Sequence, residues 1–282
     1  MQNSKIRKKI SGYLELVIFS HSLFSLPLGI ATLFLCKVPF SFRHILCIAA
    51  LILARSGANA YNRFADRKFD RQNKRTRGRN IPRGDVSSTE ALIITGVCFL
   101  LLGAIAVILG PTTTLGFPVA VILSVLYSYS KRFTPYCHLL LGVCCGLSVA
   151  GCSVAMLGGI NVSTGILYLA TVFRICSHDI IYQIEDIDFD RVAGLYSYPA
   201  VYGEKLSIEV AKVFEFSSYF LFSLLFFVEN LGLIYALGLF IAFLKTAFDY
   251  RFLNRDTRRF AYVNNALCSC ILSLSICIDI IV

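Results

Sequence analysis

The sequence predicts an all-α integral membrane protein with about nine transmembrane helices. Of its 282 residues, 56% are hydrophobic and 16% are charged, and the mean hydropathy of +0.69 lies outside the range of soluble domains. Apolar runs of about 20 residues, the length that crosses a bilayer core, recur along the chain. Basic residues are concentrated in alternate connections between these runs. We therefore expect residues 1–282 to form a single transmembrane domain.

Apolar runs separated by Pro, Gly, Asn or charged residues define the predicted spans. The first run follows a basic tail but contains no small-residue cleavage site, so we interpret it as a retained span and not as a signal peptide. The predicted spans are residues 13–36, 40–62, 91–109, 113–130, 138–157, 162–182, 208–228, 231–250 and 262–282.

The distribution of positive charge predicts the topology, because Lys and Arg are retained on the cytoplasmic side during insertion. Only Lys37 and Arg43 depart from this pattern. We therefore expect a multi-pass protein of the inner or plasma membrane with a cytoplasmic N-terminus and an exterior C-terminus. The basic connections are the N-terminal tail, residues 63–83, Lys131 with Arg132, residues 191–205 and residues 251–259.

The overall charge and the cysteines argue against two other classes of function, nucleic-acid binding and metal or redox chemistry at cysteines. A net charge of +10 would favour nucleic acid in a soluble protein, but here the basic residues flank apolar runs, where lipid headgroups account for them. We expect the lipid bilayer as a partner, no nucleic acid and no required protein partner. Most of the eleven cysteines lie inside apolar runs without a partner at ligand spacing, so we interpret them as packing residues.

The first candidate functional cluster lies at the end of the second predicted span. Asn62, Asp66 and Asp70 are spaced by four residues, which places them along one face of a helix. Carboxylates beside so much apolar sequence are costly unless something pairs with them. A single acidic pair among Arg residues is more often a solvated helix end.

The second cluster repeats this spacing at the end of the sixth predicted span. Asp186 and Asp190 are four residues apart, and Asp179 and Tyr182 lie one or two helical turns earlier. Both clusters follow an even-numbered span and therefore share the predicted cytoplasmic side. Two such clusters on one side favour a functional site over two solvated helix ends.

The chemistry of these residues favours a bound divalent cation and a phosphate-containing substrate. Two carboxylates on one helix face need a cation between them, and hard oxygen ligands suit Mg²⁺ shared with substrate phosphates. We expect residues 63–90 and 183–207 to form the cytoplasmic active-site loops. Their basic residues would neutralise charge on a departing diphosphate; the candidates are Arg67, Lys74, Arg77 and Arg79, together with Lys131 and Arg132.

Three motifs along the chain resemble those of a known family. The first is Asn62-x3-Asp66-x3-Asp70, followed by Lys74-Arg75-Thr76 and Ile81-Pro82-Arg83-Gly84. The second is Tyr127-Ser-Tyr-Ser-Lys131-Arg132, followed by His138 and Gly142. The third is Asp179-Ile-Ile-Tyr182-x3-Asp186-x3-Asp190, followed by Gly194 and Ser197. With a Phe19–Pro27 motif in the first span, they resemble the UbiA superfamily of intramembrane prenyltransferases, and in particular the 4-hydroxybenzoate polyprenyltransferases of quinone synthesis.

This resemblance implies a fold and a set of residue roles. The fold is a helical bundle around a central cavity that opens laterally to lipid. Asn62 and the two aspartate pairs, Asp66 with Asp70 and Asp186 with Asp190, would bind a polyprenyl diphosphate through Mg²⁺. The remaining roles are Asp179 and Tyr182 near the reacting carbon, Arg55 at the carboxylate of an aromatic acid, and Lys131 and Arg132 at the diphosphate.

Two positions depart from the family pattern. Arg63 stands where family members often have Asp, so one potential metal ligand is missing, and Arg83 stands where Ser is usual. We expect activity to survive both changes.

The expected reaction transfers a polyprenyl group from its diphosphate to the ring of a hydroxybenzoate-type acid in ubiquinone or menaquinone synthesis. Two alternatives remain open. In the first alternative, the enzyme prenylates a hydroxynaphthoate of menaquinone synthesis. In the second alternative, the protein is a multi-span transporter. Charges at helix ends, and not at span centres, favour the enzyme. Among the histidines, we expect an interfacial role for His138, and His178 remains open between packing and function.

Overall fold

The structure is a computed structural model that describes Lys9, Gly12, Tyr13, Leu16 and residues 25–253, 257 and 259–282. Part of the first predicted span, including the Phe19–Pro27 motif up to residue 24, and part of the basic segment 251–259 lie outside the described residues. Within the described part the chain is all helical and contains no strand, as predicted.

Twelve α-helices, numbered α1 to α12, follow one another in the described residues. A 3₁₀ turn, Ile184–Asp186, joins α7 to α8, and a π-helical stretch, Arg259–Asn264, leads into α12. The helices are Leu26–Leu35, Phe42–Gln72, Asn80–Arg83, Ser88–Leu109, Pro111–Ser130, Cys137–Leu157, Val162–Gln183, Ile187–Val192, Tyr198–Tyr202, Glu204–Glu229, Leu233–Tyr250 and Asn265–Ile281.

Eight helical segments of the described chain are long and apolar enough to cross a membrane, and they coincide with eight of the nine predicted spans. The described part of the first predicted span contains the ten-residue helix α1, which is shorter than a membrane span. The number nine is therefore approximate, while the class of fold is confirmed.

The helices continue beyond the apolar runs that predicted them. Helix α2 extends for ten residues past Asn62 and ends at Gln72, so the first part of the expected 63–90 loop is helical. Most of the expected 183–207 loop is also helical, in α8, α9 and the start of α10. Hydropathy marks where a chain leaves the membrane, whereas Arg, Lys and Gln are good helix formers that prolong the helix. The first aspartate cluster is therefore held on a rigid helix.

Helix α7 lies at the centre of the bundle, between α6 and α10. Its close contact with α6 depends on two glycines. A Cβ at Gly142 would lie 2.4 Å from the Val172 carbonyl oxygen, and one at Gly146 would lie 2.8 Å from the Tyr168 ring. Small residues at such positions allow membrane helices to approach closely.

The largest apolar core joins α1, α6, α7, α10, α11 and α12. Its fully buried members include Leu28, Leu167, Phe222, Tyr235 and Leu272. This core fixes α7 relative to the second half of the bundle, and the polar end of α7 is left to face α2 and α5.

The two basic residues that depart from the topology pattern have specific partners. The Lys37 Nζ atom lies 2.7 Å from a Glu229 carboxylate oxygen. Arg43 donates hydrogen bonds to the carbonyls of Leu109 and Ala155, at 2.8 and 2.6 Å, where two helices end. These pairings satisfy the charges locally, so they do not contradict the predicted orientation, which remains a prediction.

Candidate active site

A polar cavity lies at the end of the bundle that carries the basic connections. Its empty space, including the part that is open to solvent, is about 1400 Å³. It is bounded mainly by α2, α5, α6, α7 and the 3₁₀ turn with α8. Ten of the predicted site residues line it together: Arg55, Asn62, Asp66, Asp70, Lys131, Arg132, Asp179, Tyr182, Asp186 and Asp190.

The first aspartate cluster occupies the α2 side of this cavity. Asn62 donates a hydrogen bond of 3.1 Å from its Nδ2 atom to Asp66. Asp70 accepts one of 2.6 Å from the Arg79 guanidinium, and its other oxygen, Oδ2, is buried without a hydrogen-bond partner. Arg132 lies 3.7 Å from Asp66. Each carboxylate of this cluster therefore has a guanidinium within 4.0 Å.

The second cluster occupies the α7 side, where the 3₁₀ turn interrupts the helix between Tyr182 and Asp190. Asp186 accepts a hydrogen bond of 2.9 Å from Asn73 and is clasped by two nitrogens of Arg75, one of them the Nε atom at 2.8 Å. Asp190 accepts a hydrogen bond of 2.7 Å from the Ser197 hydroxyl, and Lys131 lies 3.6 Å from it. The turn that follows α2 thus reaches across the cavity to the second cluster.

The basic residues of the two connections stay charged. Burial opposes the charged form of Arg75, but the hydrogen bonds and charge of Asp186 outweigh it, so the pKa of Arg75 is raised. The pKa of Arg79 is raised in the same way, because the charge of Asp70 outweighs burial. For Lys131 the charge of Asp190 outweighs burial and raises the pKa above its ordinary value. All three remain cations at neutral pH.

Asp179 is held in place by His138, a contact that the sequence analysis did not predict. The His138 Nδ1 atom lies 2.7 Å from the Asp179 Oδ2 atom, and the Tyr198 backbone N–H donates a hydrogen bond of 3.1 Å to His138 Nε2. Because Nε2 accepts, the proton of a neutral imidazole resides on Nδ1 and is donated to Asp179. His138 is 1% exposed and lies at the start of α6, so it is buried inside the bundle beside the cavity; the expected interfacial role stays a prediction.

Tyr182 faces the second cluster. Its hydroxyl accepts a hydrogen bond from Arg75, whose guanidinium carbon lies 4.4 Å from the Tyr182 ring centroid. The Tyr262 ring meets the Tyr182 ring edge-on at a centroid distance of 4.9 Å. Tyr182 therefore fixes the guanidinium that clasps Asp186.

Arg55 marks the deeper end of the cavity, two helical turns before Asn62. Its Nη1 atom lies 3.2 Å from the Cys145 sulfur, and Ala58 and Cys144 also line this part of the wall.

Three predicted substrate-binding residues do not line the cavity. The Arg67 guanidinium lies 4.2 Å from the Phe64 ring centroid and donates to the Phe64 carbonyl at 2.7 Å. Lys74 and Arg77 are exposed. Arg67 is rotated by about 100° from Asp66 on the helix, and the turn after α2 sends Asn73, Arg75 and Arg79 inward. Helical spacing does not extend into that turn, so the sequence analysis did not single out Asn73 or Arg75.

His178, which the sequence analysis left open, lines the cavity and also contacts a second polar cluster between α7, α10 and the π-helical stretch before α12. Its Nε2 atom lies 3.1 Å from the Asn264 side-chain oxygen, and its ring stacks on Phe260 at a centroid distance of 5.1 Å. One turn earlier, Arg174 forms an ion pair of 2.7 Å with Glu215. Arg174, Glu215 and Asn264 do not line the cavity, and we call these three polar residues the sealed cluster.

The donor set of the cavity fits a hard divalent cation. Carboxylate and amide oxygens are the ligands that Mg²⁺ prefers, and they occur on both sides of one space. Among the described residues, no three His, Cys, Asp or Glu side chains are close enough to hold a metal by themselves. Mg²⁺ characteristically completes its shell with water and substrate phosphate oxygens. The buried Oδ2 atom of Asp70 is suited to such a shared site.

Comparisons with known proteins agree with this architecture. The sequence profile of the UbiA prenyltransferase family matches residues 24–267. A 4-hydroxybenzoate octaprenyltransferase of Nitrosococcus oceani is 33% identical over 199 residues, which are 69% of this chain and 68% of that protein. One of Shewanella pealeana is 26% identical over 242 residues, 84% and 83% of the two chains.

Two solved structures share the fold. The apo structure of a UbiA homologue from Aeropyrum pernix K1 has a TM-score of 0.85 at 28% identity and covers 93% of this chain and 99% of its own. A UbiA homologue from Archaeoglobus fulgidus bound to GPP and Mg²⁺ has a TM-score of 0.72 at 18% identity and covers 96% and 100%. The family profile spans most of the helical bundle and both aspartate clusters, and the chain is therefore a member of the UbiA prenyltransferase family.

Proposed function

We propose that this prenyltransferase transfers a polyprenyl group from its diphosphate to the ring of an aromatic acid of the 4-hydroxybenzoate type, in quinone synthesis. The observation that carries the proposal is that both aspartate clusters, with their basic partners, face one cavity. The curated relatives named 4-hydroxybenzoate octaprenyltransferase support this choice of acceptor. Family membership and the position of the charges at helix ends argue against a transporter.

Mg²⁺ is the proposed cofactor. Asp66, Asp70, Asp186 and Asp190 would hold it, and when bound it would supply positive charge to the diphosphate as the allylic C–O bond weakens. The GPP and Mg²⁺ complex of the Archaeoglobus relative supports the presence of a divalent ion in this fold.

The ion pairs of the cavity prepare it for a diphosphate. Before substrate binds, the four cluster aspartates are accompanied by Arg132, Arg79, Arg75 and Lys131. When an anionic diphosphate enters, these cations can turn to its oxygens, since charge-assisted hydrogen bonds to phosphate are strong. The electron pair of the breaking C–O bond goes to the diphosphate oxygen, and the same cations stabilise that charge.

Asp179 is the proposed proton acceptor. The ring carbon beside the acceptor hydroxyl bonds to the allylic carbon, and the ring proton must then leave to restore aromaticity. His138 donates to Asp179 Oδ2, so Asp179 Oδ1 is the oxygen assigned to that proton. Tyr182 would form the wall beside the reacting carbon, and Arg55 would bind the carboxylate of the acid.

The topology completes the proposal. The cavity opens on the same side of the bundle as the basic connections. The positive-inside rule therefore assigns its mouth and the N-terminus to the cytoplasmic side of the inner or plasma membrane. A reporter fused after Val282 should then be exported; a cytoplasmic signal would contradict this orientation.

The function is tested by incubating membranes that contain the protein with a polyprenyl diphosphate, Mg²⁺ and separate aromatic acids. We expect a prenylated 4-hydroxybenzoate, detected by mass spectrometry. A product formed only from a hydroxynaphthoate would keep the enzyme class and change the acceptor. No product with any acid, in membranes where the protein is inserted, would contradict the proposed activity.

A further inference from the structure

The cations that line the cavity outnumber its carboxylates. The cationic side chains are Arg55, Arg63, Arg75, Arg79, Lys131 and Arg132, and the carboxylates are Asp66, Asp70, Asp179, Asp186 and Asp190. The four cluster aspartates each have one of these cations within 4.0 Å. No ion pair or hydrogen bond joins Arg63 to another described residue. The resting cavity therefore carries positive charge that its own carboxylates do not offset.

The helical phase of α2 places Arg63 among the residues of the first cluster. Arg63 precedes Asp66 by three residues and Asp70 by seven, so the three share one face of the helix. Asp70 is already bonded to Arg79 at 2.6 Å. Asp66 is bonded to Asn62 at 3.1 Å. Each of the two carboxylates nearest to Arg63 along the helix thus already has another guanidinium within 4.0 Å.

A guanidinium that forms no ion pair of its own among the described residues is costly at the membrane end of a span, because its desolvation is poorly offset. A protein can retain such an unpaired charge where a bound ligand of opposite charge pairs with it. The ligand must be an anion that enters the cavity, and its shape must suit the planar fork of an arginine. Phosphate oxygens meet both requirements.

We propose that Arg63 binds the diphosphate of the prenyl donor directly, and that it does so without a metal ion. This inference rests on the proposed function and adds a residue to it. Arg63 stands at the position that the sequence analysis interpreted as a missing metal ligand. The Arg63 guanidinium supplies positive charge that an aspartate at this position would supply only through a bound metal ion. It therefore attracts the diphosphate before the cations of the four ion pairs turn from their aspartates to the diphosphate oxygens.

The test is the affinity of the purified protein for a non-reactive prenyl donor, geranyl S-thiolodiphosphate, measured by calorimetry in detergent with EDTA and again with Mg²⁺. We expect Arg63→Gln to weaken metal-free binding by about 10- to 100-fold, the loss expected for one charge-assisted contact. Arg63→Lys should lie between Arg63→Gln and the unmodified protein. Inorganic diphosphate, which has no tail, should show the same order.

The matched control is Arg67→Gln, one turn along the same helix. It removes the same charge from α2, but Arg67 lies outside the cavity, so its affinity should stay within about twofold of the unmodified protein. Equal binding by Arg63→Gln and Arg67→Gln, with tight binding by the unmodified protein, would overturn the role of Arg63 and leave the proposed function intact. If the unmodified protein fails to bind the donor even with Mg²⁺, both proposals fail.

Discussion

The cavity and the sealed cluster both join arginines to buried carboxylates, yet they differ in access. The Arg174 side chain is 0% exposed and that of Glu215 is 3% exposed. In the cavity the cationic side chains retain 13% exposure for Arg75 and 35% for Arg132. An arginine in a buried ion pair that no ligand can reach has to keep its carboxylate partner. An arginine at the wall of a cavity can exchange its carboxylate partner for a ligand. The same chemistry therefore stabilises the bundle in one place and prepares a binding site in the other.

The largest effect should come from the cavity carboxylates. Asp66→Asn and Asp186→Asn each remove a negative charge from one cluster, and we expect turnover to fall by about three orders of magnitude or more in each variant. Product formation by membranes with equal amounts of inserted protein measures this. Glu209→Gln is the control, since Glu209 is 66% exposed and pairs only with Lys212 among the described residues. Full turnover in both aspartate variants would refute the metal assignment.

The sealed cluster should respond in stability and not in chemistry. Arg174→Met leaves Glu215 buried without its guanidinium, which should lower the free energy of unfolding by about 3–5 kcal/mol. Thermal unfolding in detergent measures this change. The double variant Arg174→Met with Glu215→Leu removes both charges, and we expect it to recover much of the loss. If the single variant is as stable as the unmodified protein, the sealed cluster does not support the bundle.

An intermediate effect should come from His138, which acts through Asp179. His138→Leu should lower kcat by about 10- to 100-fold through misplacement of that carboxylate, while KM for the prenyl diphosphate changes little. His138→Gln keeps an N–H donor and should restore part of kcat. Steady-state kinetics separate the two parameters. Equal loss in both variants, together with a raised KM, would indicate general disruption of the site.

The smallest effect should come from the basic residues that the structure places outside the cavity. Arg67→Gln and Arg77→Gln should each change kcat/KM by less than about twofold, because neither side chain lines the cavity and charges near the surface are screened by salt. A strong loss in either variant would mean that the connection after α2 rearranges when substrate binds.

Site residues that lie on one regular helix could be predicted from the sequence. Asn62, Asp66 and Asp70 share a helix face because a spacing of four nearly completes a turn, and α2 is helical through all three. The nearly uninterrupted apolar runs likewise predicted eight of the described spans. The periodicity of a sequence therefore predicts which residues share a face of one helix and where that helix crosses the membrane.

The same reasoning failed where position depends on tertiary structure. Asn73 and Arg75 lie in the turn after α2, where no period applies, and they reach Asp186 more than 100 residues away. His138 and Asp179 are 41 residues apart and meet because α6 packs on α7.

Binding of Mn²⁺, a paramagnetic substitute for Mg²⁺, tests most directly whether both aspartate clusters act on one substrate. Electron paramagnetic resonance titrations with geranyl S-thiolodiphosphate present should show tight Mn²⁺ binding to the unmodified protein. We expect a clear loss of affinity in Asp66→Asn and an equally clear loss in Asp186→Asn. Undiminished Mn²⁺ binding after either change would show that the two clusters do not share a metal and diphosphate site, and would contradict the account.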